Sequence, residues 1–302
     1  MSIGDIDLAL SLGGLIAGII VGLTGMGGAA LVTPMLVLLF GINPATAVSS
    51  DVVASAFMKP VGSMVHIRAK TVHWGLVTWL SLGSVPGVIL GTVVFAKVLT
   101  TDEAADTIKT WIGWVLLIAV GAMIAKTFVS RRATGLRSQA DLLGPEMPVR
   151  RFPTLLLGLV VGILVGMTSV GSGSLVVTTL LLLYPLLRPS VLVGTDLTQA
   201  VPMLIAGAIA HAGFGDISIA VVVSLLIGQI PGVWLGARMS SRYDGHVLRW
   251  LLMVILSATA LKLLGVSSLI TGMIAVVGVA VVIVLIIRER IHGKTNAPAG
   301  SA

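Results

Sequence analysis

Two carboxylates, one ammonium and a crowd of hydroxyls stand in this chain where almost everything around them is apolar. Asp51 ends the run SSD, Asp196 ends GTD and Lys59 lies in FMKPVG, while hydroxyls punctuate two glycine clusters, GLTGMGGAALVTP at 22–34 and GMTSVGSGSLVVT at 166–178. An ionisable side chain inside an apolar segment is costly, so by default it marks an ion or substrate path. Asp51 and Asp196 are therefore candidates for substrate or proton coupling; the alternative is a carboxylate that accepts hydrogen bonds from a neighbouring broken helix end. Lys59 is the one basic residue deep in an apolar stretch. Its ammonium suits an anion drawn into the path, or a pairing with Asp51 two helical turns earlier. Snorkelling to an interface is the bland alternative.

The glycine clusters break helices, since each glycine costs about 1 kcal/mol relative to alanine. A helix that restarts inside a membrane presents unpaired N–H groups and a partial positive charge, which suits an anion. The substrate-binding candidates are thus Thr24, Gly25, Met26, Gly27 and Gly28 from the first cluster. Thr168, Ser169, Gly171, Ser172, Gly173 and Ser174 come from the second, with Lys59 and Gln199 lining the same cavity. Close helix packing through small residues is the structural alternative. His66 and His211 end equivalent segments and read as packing or interfacial residues. No metal or cofactor is expected, because two separated carboxylates without cysteine or clustered histidine make a poor transition-metal site. The glycines also lack the Lys-Ser/Thr sequel and the strand context of a phosphate loop.

The elements that position these residues are membrane helices. The 302 residues are 56% hydrophobic and 10% charged, with a mean hydropathy of +1.09, against about 25% charged residues in a soluble domain. The net charge of +7 flanks apolar spans and sets topology rather than marking a nucleic-acid partner. The opening MSIGDIDLAL lacks the basic n-region of a cleavable signal.

The chain repeats itself. Gly18, Gly22, Thr24 and Gly27 recur 144 residues on as Gly162, Gly166, Thr168 and Gly171, and Pro44, Asp51, Gly62, His66, Gly83 and Gly87 recur 145 residues on as Pro189, Asp196, Gly207, His211, Gly228 and Gly232. Each half holds a glycine-broken segment (about 8–40 and 153–187), then spans near 44–65, 72–95 and 109–128, matched by 190–210, 217–237 and 247–264. Membrane repeat 1 is assigned to 8–128, a polar cytoplasmic linker to 129–152 and membrane repeat 2 to 153–264. An additional transmembrane helix follows at 265–288, then a cytoplasmic tail at 289–302.

If each broken segment doubles back, the halves are inverted, and fifteen basic residues fall on one face against Lys97, Lys109 and Lys262 on the other. If each crosses once, the same residues divide nine against nine. The positive-inside rule selects inversion, with the N-terminus outside and the C-terminus in the cytoplasm. The expected fold is an all-α polytopic membrane protein of two inverted repeats. Each carries a glycine-broken hairpin, re-entrant or doubled-back, plus three or more transmembrane helices. Such repeats with broken helices at the midplane are a recurrent transporter design.

The stretches GIIVGLTGMGGAALVTPMLVLLFGINPATAVSSD, GILVGMTSVGSGSLVVT and LVGTDLTQAVPMLIAGAIAHAGFGDI, with the paired PGVILG and PGVWLG, resemble the TauE/SafE sulfite exporter family over about residues 8–264. The resemblance implies a bacterial inner-membrane protein that exports sulfite or small organosulfonates and draws on the proton gradient. It maps family positions onto Gly25, Gly27, Gly28, Pro34, Gly171, Gly173 and Asp196. Two departures bear on substrate: Thr178 stands where Pro34 would recur, and Lys59 replaces a small or polar residue. The leading reading is a secondary transporter of a small anion in the lipid bilayer, with coupling to H+ and assembly as a homodimer left open. The alternatives are a carrier of another organic anion or of a metal cation. An intramembrane enzyme is disfavoured, because Glu103, Glu146, Glu289 and every arginine lie outside the predicted spans.

Overall fold

The structure is a computed structural model that describes residues 6–24, 29–134, 147–214, 216–240 and 246–280. Gly25, Met26, Gly27 and Gly28, the middle of the predicted linker and the predicted cytoplasmic tail lie outside the described residues, as do the side chains of Thr24 and Ser174.

The described residues are all-helical. The first half runs α1 (Leu8–Thr24), α2 (Ala29–Leu38), α3 (Pro44–Arg68), α4 (Trp74–Leu99) and α5 (Ala104–Thr134). The second runs α6 (Arg151–Thr168), α7 (Ser174–Leu183), α8 (Pro189–Phe214), α9 (Ile219–Ser240) and α10 (His246–Leu263), followed by α11 (Ser268–Ala280). Among the described residues five helices are long and apolar enough to cross a membrane, so the chain is a polytopic membrane protein. Helix α5 continues to Thr134, six residues past the predicted end of the first repeat. Its polar continuation keeps helical hydrogen bonding beyond the apolar stretch.

Local chemistry sets several boundaries. The Asn43 side chain accepts from Ala45 N at 2.9 Å and Pro44 opens α3, a pairing of cap and first-turn proline that suits a helix start. His73 caps α4 by accepting from Leu76 N at 3.1 Å, while its Nε2 donates to the Met147 carbonyl at 2.7 Å. That bond ties the chain entering the second half to the first. Helix α6 ends at Ser169 in a left-handed conformation (φ 59°), and Gly173 precedes α7 at φ 97°, where glycine carries no steric cost.

Helices α2 and α7 have ten residues each, about 15 Å of rise against a hydrocarbon core of about 30 Å. Each touches the helix before it. Gly13 of α1 faces Met35 of α2 and Phe40. The Tyr184 hydroxyl, at the end of α7, accepts from Arg150 N at 2.8 Å and lies 2.6 Å from the Thr154 hydroxyl at the start of α6.

The halves interlock. Helix α1 packs along α9, and α6 packs along α4. Gly83, Gly87 and Gly91 of α4 lie on the backbone of Leu155, Leu159 and Ile163, so these two helices run parallel. Gly228, Gly232 and Gly236 of α9 lie in the same way on Ser11, Leu15 and Ile19 of α1. Without a hydrophobic driving force between helices in lipid, such small residues let backbones approach and gain packing. At the centre α3 crosses its counterpart α8 in the opposite direction, since Ser49 meets His211 at 3.1 Å while Ser63 meets Thr198 at 2.9 Å.

A Cβ added at Gly228 would overlap the Ser11 carbonyl, whereas one at Gly272 of α11 meets nothing within 4 Å. Gly228→Leu is expected to cost about 3 kcal/mol or more through overpacking, and Gly272→Leu little. Apparent melting temperatures of the detergent-purified variants check the contrast.

Candidate functional site

The site is built on α3. Asp51, Ser55 and Lys59 recur every four residues and so share one face of that helix, and all three are buried, Lys59 at 1% exposure. The Asp51 carboxylate accepts from Thr33 Oγ1 of α2 at 2.6 Å, from Ser169 Oγ beyond α6 at 2.9 Å and from Ser55 Oγ one turn along α3 at 3.4 Å. One carboxylate thereby joins α2 of the first half to the end of α6 in the second. Hydroxyl donors of this kind are what a carboxylate removed from water requires.

Lys59 is different. Its Nζ is buried and makes no hydrogen bond among the described residues, and the Asp51 and Asp196 carboxylates are the negative charges that act on it. Lys59 and Asp51 are not hydrogen-bonded to each other. Asp196 Oδ1 accepts from Gln199 Nε2 at 3.4 Å, and Gln199 Oε1 accepts from Ser84 Oγ of α4 at 3.4 Å. Thr198 bonds Ser63 across the α3–α8 crossing and donates to the Gly194 carbonyl at 2.7 Å. Asp51, Lys59, Asp196 and Gln199 are therefore all buried on the two helices α3 and α8, which cross each other.

The second cluster is also buried at Thr168, Ser169 and Ser172. Thr168 Oγ1 donates to the Leu164 carbonyl at 2.8 Å, and Val170 N donates to Thr168 Oγ1 at 3.2 Å, so this hydroxyl finishes α6. His211 Nε2 donates to the Gly166 carbonyl at 3.0 Å, leaving Nδ1 to accept from Ser49. Its ring packs edge-on against Phe95 at 5.0 Å between centroids. Both residues complete the end of a broken helix. Helix α7 begins without a side-chain cap on Gly173, so its first-turn N–H groups have no helical carbonyl to bond. Gly171 (φ 126°) and Gly173 supply the backbone that turns the chain into it.

Sequence reasoning missed Thr33, Ser55, Ser84 and Gln229. Neutral polar residues inside apolar helices carry no periodic signal. The last two leave a trace all the same: they occupy the same repeat position inside GSVPG and GQIPG.

The family described as Sulfite exporter TauE/SafE matches residues 10–263. The "Probable membrane transporter protein YjnA" of Bacillus subtilis (strain 168) is 36% identical over 261 residues, which cover 85% of this chain and 100% of that protein. Two more proteins of that organism are similar: YdhB at 26% over 77% of this chain and 89% of its own, and YunE at 25% over 76% and 85%; each carries the same description as a probable membrane transporter protein. No solved structure matches the chain.

If Thr33 and Ser169 act through Asp51, the stability lost in Thr33→Val and in Ser169→Ala is smaller when Asp51 is already Asn. A double-mutant cycle on melting of the purified protein is expected to return a coupling of about 0.5–3 kcal/mol for each hydroxyl.

Proposed function

The chain belongs to the TauE/SafE sulfite exporter family, and on that premise we propose that it exports a small anion such as sulfite or an organosulfonate, held at Lys59 between the two broken segments. The observation that carries this reading is a buried ammonium that finds no hydrogen-bond acceptor among the described residues. An anion brings acceptor oxygens and negative charge to that position, and a charge-assisted bond in a dry site is strong. A metal cation would meet the repulsion of Lys59 beside any carboxylate it approached. The first-turn N–H groups of α7 add a partial positive charge on the same side as Ser169 and Asp51.

The charge balance suggests the coupling. Two carboxylates and one ammonium already carry surplus negative charge when all are ionised, so an incoming anion is favoured when a proton accompanies it onto the carboxylate pair. Proton and anion then move together, and Asp51 and Asp196 are the coupling groups. Because Ser169 and Thr33 bond Asp51 from both broken segments, a change of charge there is felt by both.

The alternating path follows from inverted repeats, a reading supported by the opposite directions of the equivalent helices α3 and α8 and by the fold-back of α2 on α1 and of α7 on α6. Repeat 1 (8–128) and repeat 2 (153–264) then present the site in turn to the two sides of the inner membrane. The N-terminus lies outside and the linker in the cytoplasm.

In proteoliposomes the protein is expected to move sulfite or an organosulfonate. Lys59→Met should lower that flux roughly 10- to 100-fold, the loss of one charge-assisted hydrogen bond, with insertion unchanged; flux of divalent cations alone would overturn the reading. The chain has no cysteine, so a single Cys reports sidedness cleanly. Thr101→Cys should react with an impermeant thiol reagent in intact cells and Lys70→Cys only after the cytoplasmic face is opened; the reverse pattern contradicts the orientation.

A further inference from the structure

Gln229 of α9 is 1% exposed, and among the described residues neither its Nε2 nor its Oε1 has a hydrogen-bond partner. A primary amide offers two N–H donors and a carbonyl acceptor, and native interiors rarely leave such a group unpaired. Helix α1 packs closely against it: a methyl at Gly14 would lie 3.5 Å from Gln229 Cγ, and one at Gly18 would overlap the Gln229 backbone.

Its level in the bundle follows from its neighbours. Ser218 N donates to Ser50 Oγ at 3.1 Å, and Val233 packs near Gly62 and clusters with Met58. These contacts run parallel along α3 and α9 and set Gln229 beside the turn from Ala54 to Met58, between the levels of Asp51 and Lys59. The repeat explains why an amide stands there. At the offset of 145, Gln229 corresponds to Ser84 and Ala54 to Gln199. Around Asp196 the amide comes from α8 and meets a serine on α4. In the other half the repeat puts the amide on α9, which packs against α3, and an alanine at the α3 position. The Gln199 amide is bonded to Asp196 and Ser84, whereas that of Gln229 finds no partner among the described residues.

We propose that Gln229 is a specificity-determining residue of the anion site, and that the anion it selects carries a proton. The proposal rests on the anion reading above. Lys59 can only donate hydrogen bonds. Gln229 donates through Nε2 to an anionic oxygen and accepts through Oε1 from a hydroxyl of the same ligand. A monoprotonated oxyanion satisfies both atoms, whereas one whose oxygens only accept leaves Oε1 unpaired. A site built to bond a ligand hydroxyl discriminates strongly against an analogue that lacks it.

The test is competition against sulfite counterflow in proteoliposomes, at a mildly acidic pH where methylphosphonate is a monoanion. Methylphosphonate and methanesulfonate then share charge and shape, but only the first has an O–H. The wild-type protein is expected to be inhibited by methylphosphonate about tenfold or more better than by methanesulfonate, and Gln229→Leu should slow sulfite counterflow and bring the two inhibitors within about twofold of each other, the ratio being read on the counterflow that remains. Equal inhibition of the wild type, or an unchanged ratio in the variant, overturns the proposal and leaves the anion reading standing. Full sulfite counterflow in Lys59→Met, or none in the wild type, overturns the anion reading instead. Gln229→Met serves as the second variant should Gln229→Leu fail to elute as a folded protein.

Discussion

An ammonium sealed inside a membrane-spanning bundle must be answered by negative charge, and the arrangement of this core follows from that requirement. Lys59 is hydrogen-bonded to neither Asp51 nor Asp196, the negative charges that act on it, and those carboxylates carry their own polar partners. The cost of dehydrating these groups falls on α3 and α8. Helix α3 is accordingly missing from the five helices that qualify as membrane spans on hydropathy, although it lies at the centre of the bundle. Its polar residues face the partner helix and the broken segments, and the lipid is met by Phe57, Met64 and Val65.

Holding charges at that depth demands a scaffold that does not yield, and the glycine faces supply it. With α1 on α9 and α6 on α4, each half lends its first helix to the fourth helix of the other, so neither half closes without its partner. The same contacts leave α2 and α7 short, carried on helices that are locked to the opposite half. A hydroxyl from the first broken segment and one from the second can then meet on Asp51. The packing reading of the glycines applies to only some of them. The regularly spaced glycines within α1, α4, α6 and α9 pack helices, and those at 171 and 173 turn the chain.

Much of this was legible because it rests on residue types that apolar sequence does not tolerate without reason. Asp51, Lys59 and Asp196 announce themselves by charge, and the breaks at 22–34 and 166–178 by glycine and repetition. The partners of those charges were not legible. Thr33 reaches Asp51 across eighteen positions and Ser169 across 118, distances that only the fold-back of α2 and the crossing of the halves can close. Gln229 was hidden for a different reason: its repeat partner is a serine, so identity between the halves skips the position where the chemistry was exchanged between helices.

The central claim is that Lys59 holds an anion between the two broken segments. Isothermal titration of the detergent-purified protein with sulfite tests it without the complications of flux. The account predicts saturable binding at one site in the wild type and its loss in Lys59→Met, under conditions where both elute as the same folded species. Equal sulfite binding by the two proteins would contradict it.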